Sequence, residues 1–177
     1  MLLILVSFIN SRAQYKKASF QASGLTCSMC SKAIFKALKT LPFAETVQTD
    51  LNINEFTVLF RKNSNPDFDL IKTKVEEAGF SIAKFWVWVK VPNLELKPEE
   101  HISLFGKNLH LMNIRPQEVE GDMRLQVIDK GYVLKKEFKK YSTFTNMPCY
   151  QSGKMSSCCK SIMGPMAASN RIYHVTI

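Results

Sequence analysis

The chain has 177 residues, is 46% hydrophobic, and carries a formal charge of +9 from 24 Lys and Arg against 15 Asp and Glu. That surplus is shared evenly, with about four net positive charges in residues 14–90 and about four in residues 91–177. No basic domain stands out, so nucleic-acid partners are not expected.

The chain begins with an apolar run, Met1 to Ile9, that is too short to cross a bilayer. Ser11-Arg12-Ala13 follows as a small-x-small cleavage site, so residues 1–13 are expected to be a signal peptide with Gln14 as the new N-terminus. The positive n-region usual in such leaders is missing. No later stretch is long and apolar enough to span a membrane, so stable membrane insertion is not expected. The expectation is a periplasmic or otherwise exported protein.

From residue 15 the periodicities are clear. Ala18, Phe20 and Ala22 alternate with Lys17, Ser19 and Gln21, as in a half-buried strand. Ile34, Ala37, Leu38 and Leu41 follow the three-and-four spacing of an amphipathic helix, which Pro42 ends. Residues 46–52 and 55–61 read as two strands joined through Asn52-Ile53-Asn54. A second helix follows, with Asn65 as its cap, Pro66 at its first position and Asp67 and Asp69 in its first turn. Phe68, Ile71, Val75 and Ala78 make its buried stripe, and Gly79 stops it. A last strand runs from Phe80 to about Val91. This order, βαββαβ, predicts an α+β, ferredoxin-like domain over residues 14–90.

Between the first strand and the first helix stands Gly24-Leu25-Thr26-Cys27-Ser28-Met29-Cys30. Two thiols three positions apart at a strand-to-helix junction can point at one small object. A helix N-terminus offers unpaired N–H groups and partial positive charge, which favour thiolates. Soft thiolates prefer soft ions, copper(I) first, with zinc(II) and mercury(II) behind it.

This motif and its flanks resemble the heavy-metal-associated domain, the small fold of copper metallochaperones and of the N-terminal modules of metal-pumping ATPases. The resemblance covers about residues 15–90. Leu25 stands where that family usually has a buried methionine, and Phe80 where it places a loop residue near the metal. The resemblance implies that Cys27 and Cys30 bind copper(I) as a two-coordinate dithiolate with room for a third sulfur. The ion would pass on by thiolate exchange to a metal-transporting ATPase or another metal-binding protein. A periplasmic mercury(II) scavenger on the same fold is the alternative. A thiol-disulfide oxidoreductase fits less well, because Ser28-Met29 and the element order depart from the thioredoxin pattern. No catalytic serine, carboxylate pair or phosphate-cradling loop stands out, so an enzyme is not expected.

Residues 91–177 resemble no family and are expected to be a small mostly-β domain. Strands are predicted at 108–114, 123–129, 132–134 and 171–177, with Asp129-Lys130-Gly131 as a hairpin turn, giving a sandwich or barrel. Residues 85–91 are apolar on both faces and should be buried on both sides. Lys135, Lys136, Lys139 and Lys140 read as the solvated face of a short helix. Regular patterns fail over residues 142–170, yet this stretch holds three of the five cysteines and four of the eight methionines. Cys149, Cys158 and Cys159, with Met147 and Met155, suit a second copper(I) site. A disulfide-tied surface loop accounts for the same cysteines, and both readings stand on sequence. His101, His110 and His174 read as structural residues, His101 as a solvated one near a turn. A metal role would require them to meet the sulfur-rich loop in space.

Overall fold

The computed structural model describes residues 14–25, 28–159, 162–163 and 169–177. The expected leader lies outside these residues, as do Thr26, Cys27 and Met166.

The first six elements follow the predicted order. β1 (Tyr15–Ser23) lies between β3 (Glu55–Phe60) and β4 (Ser81–Leu96), antiparallel to both, and β2 (Ala44–Asp50) flanks β3. α1 (Ser28–Leu38) and α2 (Phe68–Glu77) cover the sheet through the stripes Ile34/Leu38 and Phe68/Ile71/Val75, all fully buried. The α2 start differs from expectation. Asp67, in extended conformation, caps the helix by accepting from the Leu70 N–H at 3.1 Å, leaving Asn65 and Pro66 outside it. Asp and Asn are equivalent caps, so composition could not choose between positions two apart. Gly79 ends the turn with φ +88°, a conformation that favours glycine.

β4 is the structural surprise. It runs 16 residues, and the boundary expected between residues 90 and 91 falls inside it. Its first part pairs with β1, and from Phe85 to Leu96 its other edge pairs with β7 (Gln117–Val127). Pro92, which cannot donate a ladder hydrogen bond, sits where the register shifts between Val91 and Leu94. Nor is β4 buried on both faces. Phe85, Val87, Val89 and Val91 are buried, whereas Trp86 and Trp88 are half-exposed. Trp88 lies under the Lys17 ammonium, 4.3 Å from its ring centre.

The second half adds strands to the same sheet, and among the described residues neither the sandwich nor the barrel forms. β5 (His101–Leu104), β6 (Lys107–Leu111), β8 (Ile162–Met163) and β9 (Ile172–Thr176) complete the order β2-β3-β1-β4-β7-β9-β6-β5-β8. β6 and β9 run parallel, as do β5 and β8. Asp129-Lys130-Gly131 does not close a hairpin, and residues 132–134 are not a strand. β7 pairs instead with β9, and the chain turns out of the sheet into α3 (Lys135–Tyr141). α3 buries no residue and exposes all four lysines, as the solvated-face reading expected. Within residues 142–170 lie α4 (Pro148–Ser152) and a 3-10 turn (Ser157–Cys159).

One aromatic core runs beneath both halves. Phe68 of α2 meets Tyr15 and Tyr173 edge-on, each at 5.2 Å between ring centres, and Phe85 at 6.0 Å. Asp69, the next residue, is held by three groups from the second half. Tyr132 donates to it at 2.7 Å, Tyr173 at 3.1 Å and the Arg171 guanidinium at 2.8 Å. Burial alone raises the Asp69 carboxyl. The Arg171 bonds and charge, with the two phenols, reverse that and hold it below its ordinary value.

Removing the Phe68 ring should destabilise the whole molecule. Phe68→Ala is expected to cost about 3–5 kcal/mol in urea unfolding. Tryptophan fluorescence and far-ultraviolet circular dichroism should still give coincident transitions, because both halves share β4. Two separated transitions would contradict a shared core. The Asp69 carboxylate contributes stability at pH values above the unfolded carboxyl pKa, and this is lost as pH falls through the lower folded value. The stability gap between wild type and Asp69→Asn should therefore be constant at neutral pH and shrink below about pH 4. A gap that instead widens with acid would reverse the sign assigned to Asp69.

Candidate metal centres

The first candidate lies at the start of α1. Cys30 is the third residue of that helix and is half-buried, while Met29 beside it is 70% exposed. Leu25 packs on the core as expected of the residue replacing methionine, and half-buried Phe80 packs there too. Cys27 lies outside the described residues, so the pair itself rests on sequence spacing.

The second candidate is built by strand register. His101 of β5 stands opposite His110 of β6, and His110 stands beside His174 of β9. Residues in register on neighbouring strands project to the same face of a sheet. Three imidazoles therefore form one row across three strands. The His101 and His110 rings stack at 4.3 Å, and the His110 and His174 rings meet at 5.1 Å. All three are buried, which corrects the reading of His101 as solvated.

α4 brings Cys149 to that row. Its sulfur lies 3.4 Å from His174 Nε2, 3.7 Å from His101 Nε2 and 4.0 Å from His110 Nδ1. The 3-10 turn adds Cys158 and Cys159, whose sulfurs are 3.6 Å apart. The ligand atoms of His101, Cys149, Cys158 and Cys159 all lie within 4.8 Å of one another, and so do those of His110, Cys149 and His174. None of Cys149, Cys158 and Cys159 is disulfide-bonded. Met147 and Met155 pack against this cluster, but the Met155 sulfur is engaged by the Asn108 amide at 3.2 Å.

Behind the row, the Asp129 carboxylate lies 2.6 Å from His174 Nδ1 and also accepts from the His174 backbone N–H at 3.2 Å. A proton on Nδ1 leaves the Nε2 lone pair facing Cys149. Asp129 is paired in turn with Arg171 at 2.7 Å. Burial, then the charges of His174 and His101, push His110 down to about 3. Burial and His174 lower His101 as well. Both imidazoles are thus neutral near pH 7, the form that ligates metal. Burial raises the Cys149 thiol. Burial also opposes ionisation of Cys158, yet hydrogen bonds from Ser156 and from Cys149 bring it down to about 7. The strand positions of His110 and His174 were legible in sequence; their meeting depends on pairing between distant strands.

Residues 19–81 match the model of the heavy-metal-associated domain, so the recognition made on residues 24–30 holds over that part of the chain. A probable copper-transporting ATPase, HMA5, of Arabidopsis thaliana is 39% identical over 64 residues. That stretch is 36% of this chain and only 6% of the relative. Among solved structures, a copper-binding domain from HMA7, a P-type ATPase, is 30% identical, covering 38% of this chain and 92% of that one with a TM-score of 0.34. The yeast copper transporter domain Ccc2a is 28% identical, covering 37% of this chain and 88% of that one with a TM-score of 0.33.

The two environments predict unequal thiol reactivity. In the reduced, metal-free protein at pH 7.5, Cys158 should be alkylated at least roughly ten times faster than buried Cys149. Timed labelling with peptide mass mapping measures both rates in one sample. Equal rates would contradict the burial assigned to Cys149.

Proposed function

We propose that the protein captures copper(I) through the thiolates of Cys27 and Cys30 and hands it to a second protein. The observation that carries this reading is the match of residues 19–81 to the heavy-metal-associated domain, with Cys30 in the first turn of α1. The relative that is 39% identical over 64 residues, a probable copper-transporting ATPase, supports copper as the ion. Exposed Met29 between the two cysteines leaves that end of the helix open to an approaching partner.

Transfer would run by ligand exchange. A partner thiolate binds the ion first, giving three-coordinate copper, and one of the two cysteine sulfurs then leaves and takes up a proton. Copper stays monovalent throughout, so no electron donor is needed. The partner is a metal-transporting ATPase or another soft-metal protein presenting paired thiols. Export after loss of residues 1–13 belongs to the same proposal and rests on the apolar run and the small-x-small site.

Anaerobic titration of the reduced protein against a competing copper(I) chelator tests the assignment. Cys27→Ser with Cys30→Ser should lower copper(I) affinity at this site by several orders of magnitude while leaving the circular dichroism unchanged. The same titration with mercury(II) and zinc(II) ranks the ions. A double variant binding copper(I) with the wild-type stoichiometry and affinity would sink the assignment.

A further inference from the structure

Hydrophobic residues would satisfy the buried positions 101, 110 and 174 equally well, yet an imidazole stands at each. Packing explains a small sulfur core of Cys149, Cys159 and Ile172, but it does not explain three histidines turning nitrogens toward one sulfur. A buried polar side chain costs free energy unless it is bonded. His110 Nε2 makes no hydrogen bond, although the Glu99 carboxylate lies 3.3 Å away.

We propose that Cys149, Cys158, Cys159 and His101 form a second soft-metal centre, backed by His110 and His174, for a d10 ion that prefers thiolate and imidazole: zinc(II) or copper(I). Two of its ligand pairs already have the spacing of a coordination shell, and all lie within 4.8 Å of one another. Sulfur about 2.3 Å and nitrogen about 2.0 Å from a tetrahedral ion lie about 3.5–3.8 Å from one another. The pairs here measure 3.7 Å for Cys149 and His101 and 3.6 Å for Cys158 and Cys159. Three cysteines and one histidine are a known closed zinc set, and thiolates equally suit copper(I). His110, His174 and Cys149 form an adjoining set, so the Cys149 thiolate can bridge to a second ion. Asp129 orients His174 from behind, as outer carboxylates do for ligating histidines. Half-buried Cys158 lies at the edge where an ion would enter.

This centre is distinct from the C-x-x-C pair and does not depend on it. β1, which leads to Cys30, is separated from β9 by β4 and β7, about 14 Å of sheet at the usual strand spacing. One ion cannot serve both. An ion at the inner centre would also tie α4 and the 3-10 turn to β5, so binding should stabilise the fold.

The test uses the full chain with Cys27→Ser and Cys30→Ser, reduced and kept anaerobic, so that only the inner centre can answer. Zinc(II) and copper(I) titrations against chelators should give one or two tightly bound equivalents of at least one of these ions, with a raised Tm. Cobalt(II) should give the visible bands of tetrahedral thiolate coordination. Adding Cys158→Ser, at a half-buried position that spares the core, should weaken binding at least tenfold. Asp129→Asn should weaken it by roughly 10–100-fold. No bound equivalent, octahedral cobalt bands, or unchanged binding after Cys158→Ser would overturn the proposal. The reciprocal variant, with Cys149, Cys158 and Cys159 all changed to Ser, tests the C-x-x-C site alone, so either site can fail without the other.

Discussion

The architecture depends on β4 being hydrogen-bonded on both edges. A βαββαβ unit alone leaves its fourth strand with a row of unpaired N–H and C=O groups, a template for pairing with another chain. Here β7 occupies that edge from Phe85 to Leu96, and β9, β6, β5 and β8 follow outward. The buried residues of β4 consequently belong to both halves, and Phe68 of α2 touches Tyr173 of β9. Every strand beyond β4 takes its register from this pairing, and register is what sets the histidine row.

A polar chain crosses the same junction. It runs from Asp69 of α2 through Arg171 to Asp129, then to His174 and the sulfur of Cys149. Asp129 is 3% exposed, so its charge is costly unless paired, and Arg171 supplies the pairing. Such a network fixes orientation more than it adds stability. His174 cannot rotate without breaking its bond to Asp129, and Asp129 cannot move without uncovering Arg171. The inner cluster is therefore held by a helix that lies within residues 19–81, the stretch that matches the heavy-metal-associated domain.

The two candidate centres differ in physical character. Cys30 lies in the first turn of α1 beside an exposed methionine, an arrangement suited to exchange. The inner cluster is enclosed by strands and by α4, with His101 and His110 neutral and one thiol half-buried, an arrangement suited to retention. Openness allows an incoming ligand to attack before the outgoing one leaves. Enclosure excludes that ligand and slows loss.

Residues 15–90 were legible because their signals are local. Alternation in β1 and β3, the stripes of α1 and α2, and the spacing of Cys27 and Cys30 are each contained within a dozen residues. The α2 cap was misplaced only because Asn65 and Asp67 can both do that work. The wealth of soft ligands in residues 142–170 is visible in the sequence, since composition is also local. The three histidines could not be assigned from sequence. His101 follows two glutamates, which read as solvent, and Glu99 turns the chain with φ +58° just before the strand begins. His110 and His174 meet through a parallel pairing of strands far apart in the chain. The sequence by itself determined the order of the elements in residues 15–90, the C-x-x-C motif and the supply of soft ligands. Only the tertiary structure decided which ligands converge, because convergence follows from strand register, and register between distant strands is set by the packed sheet.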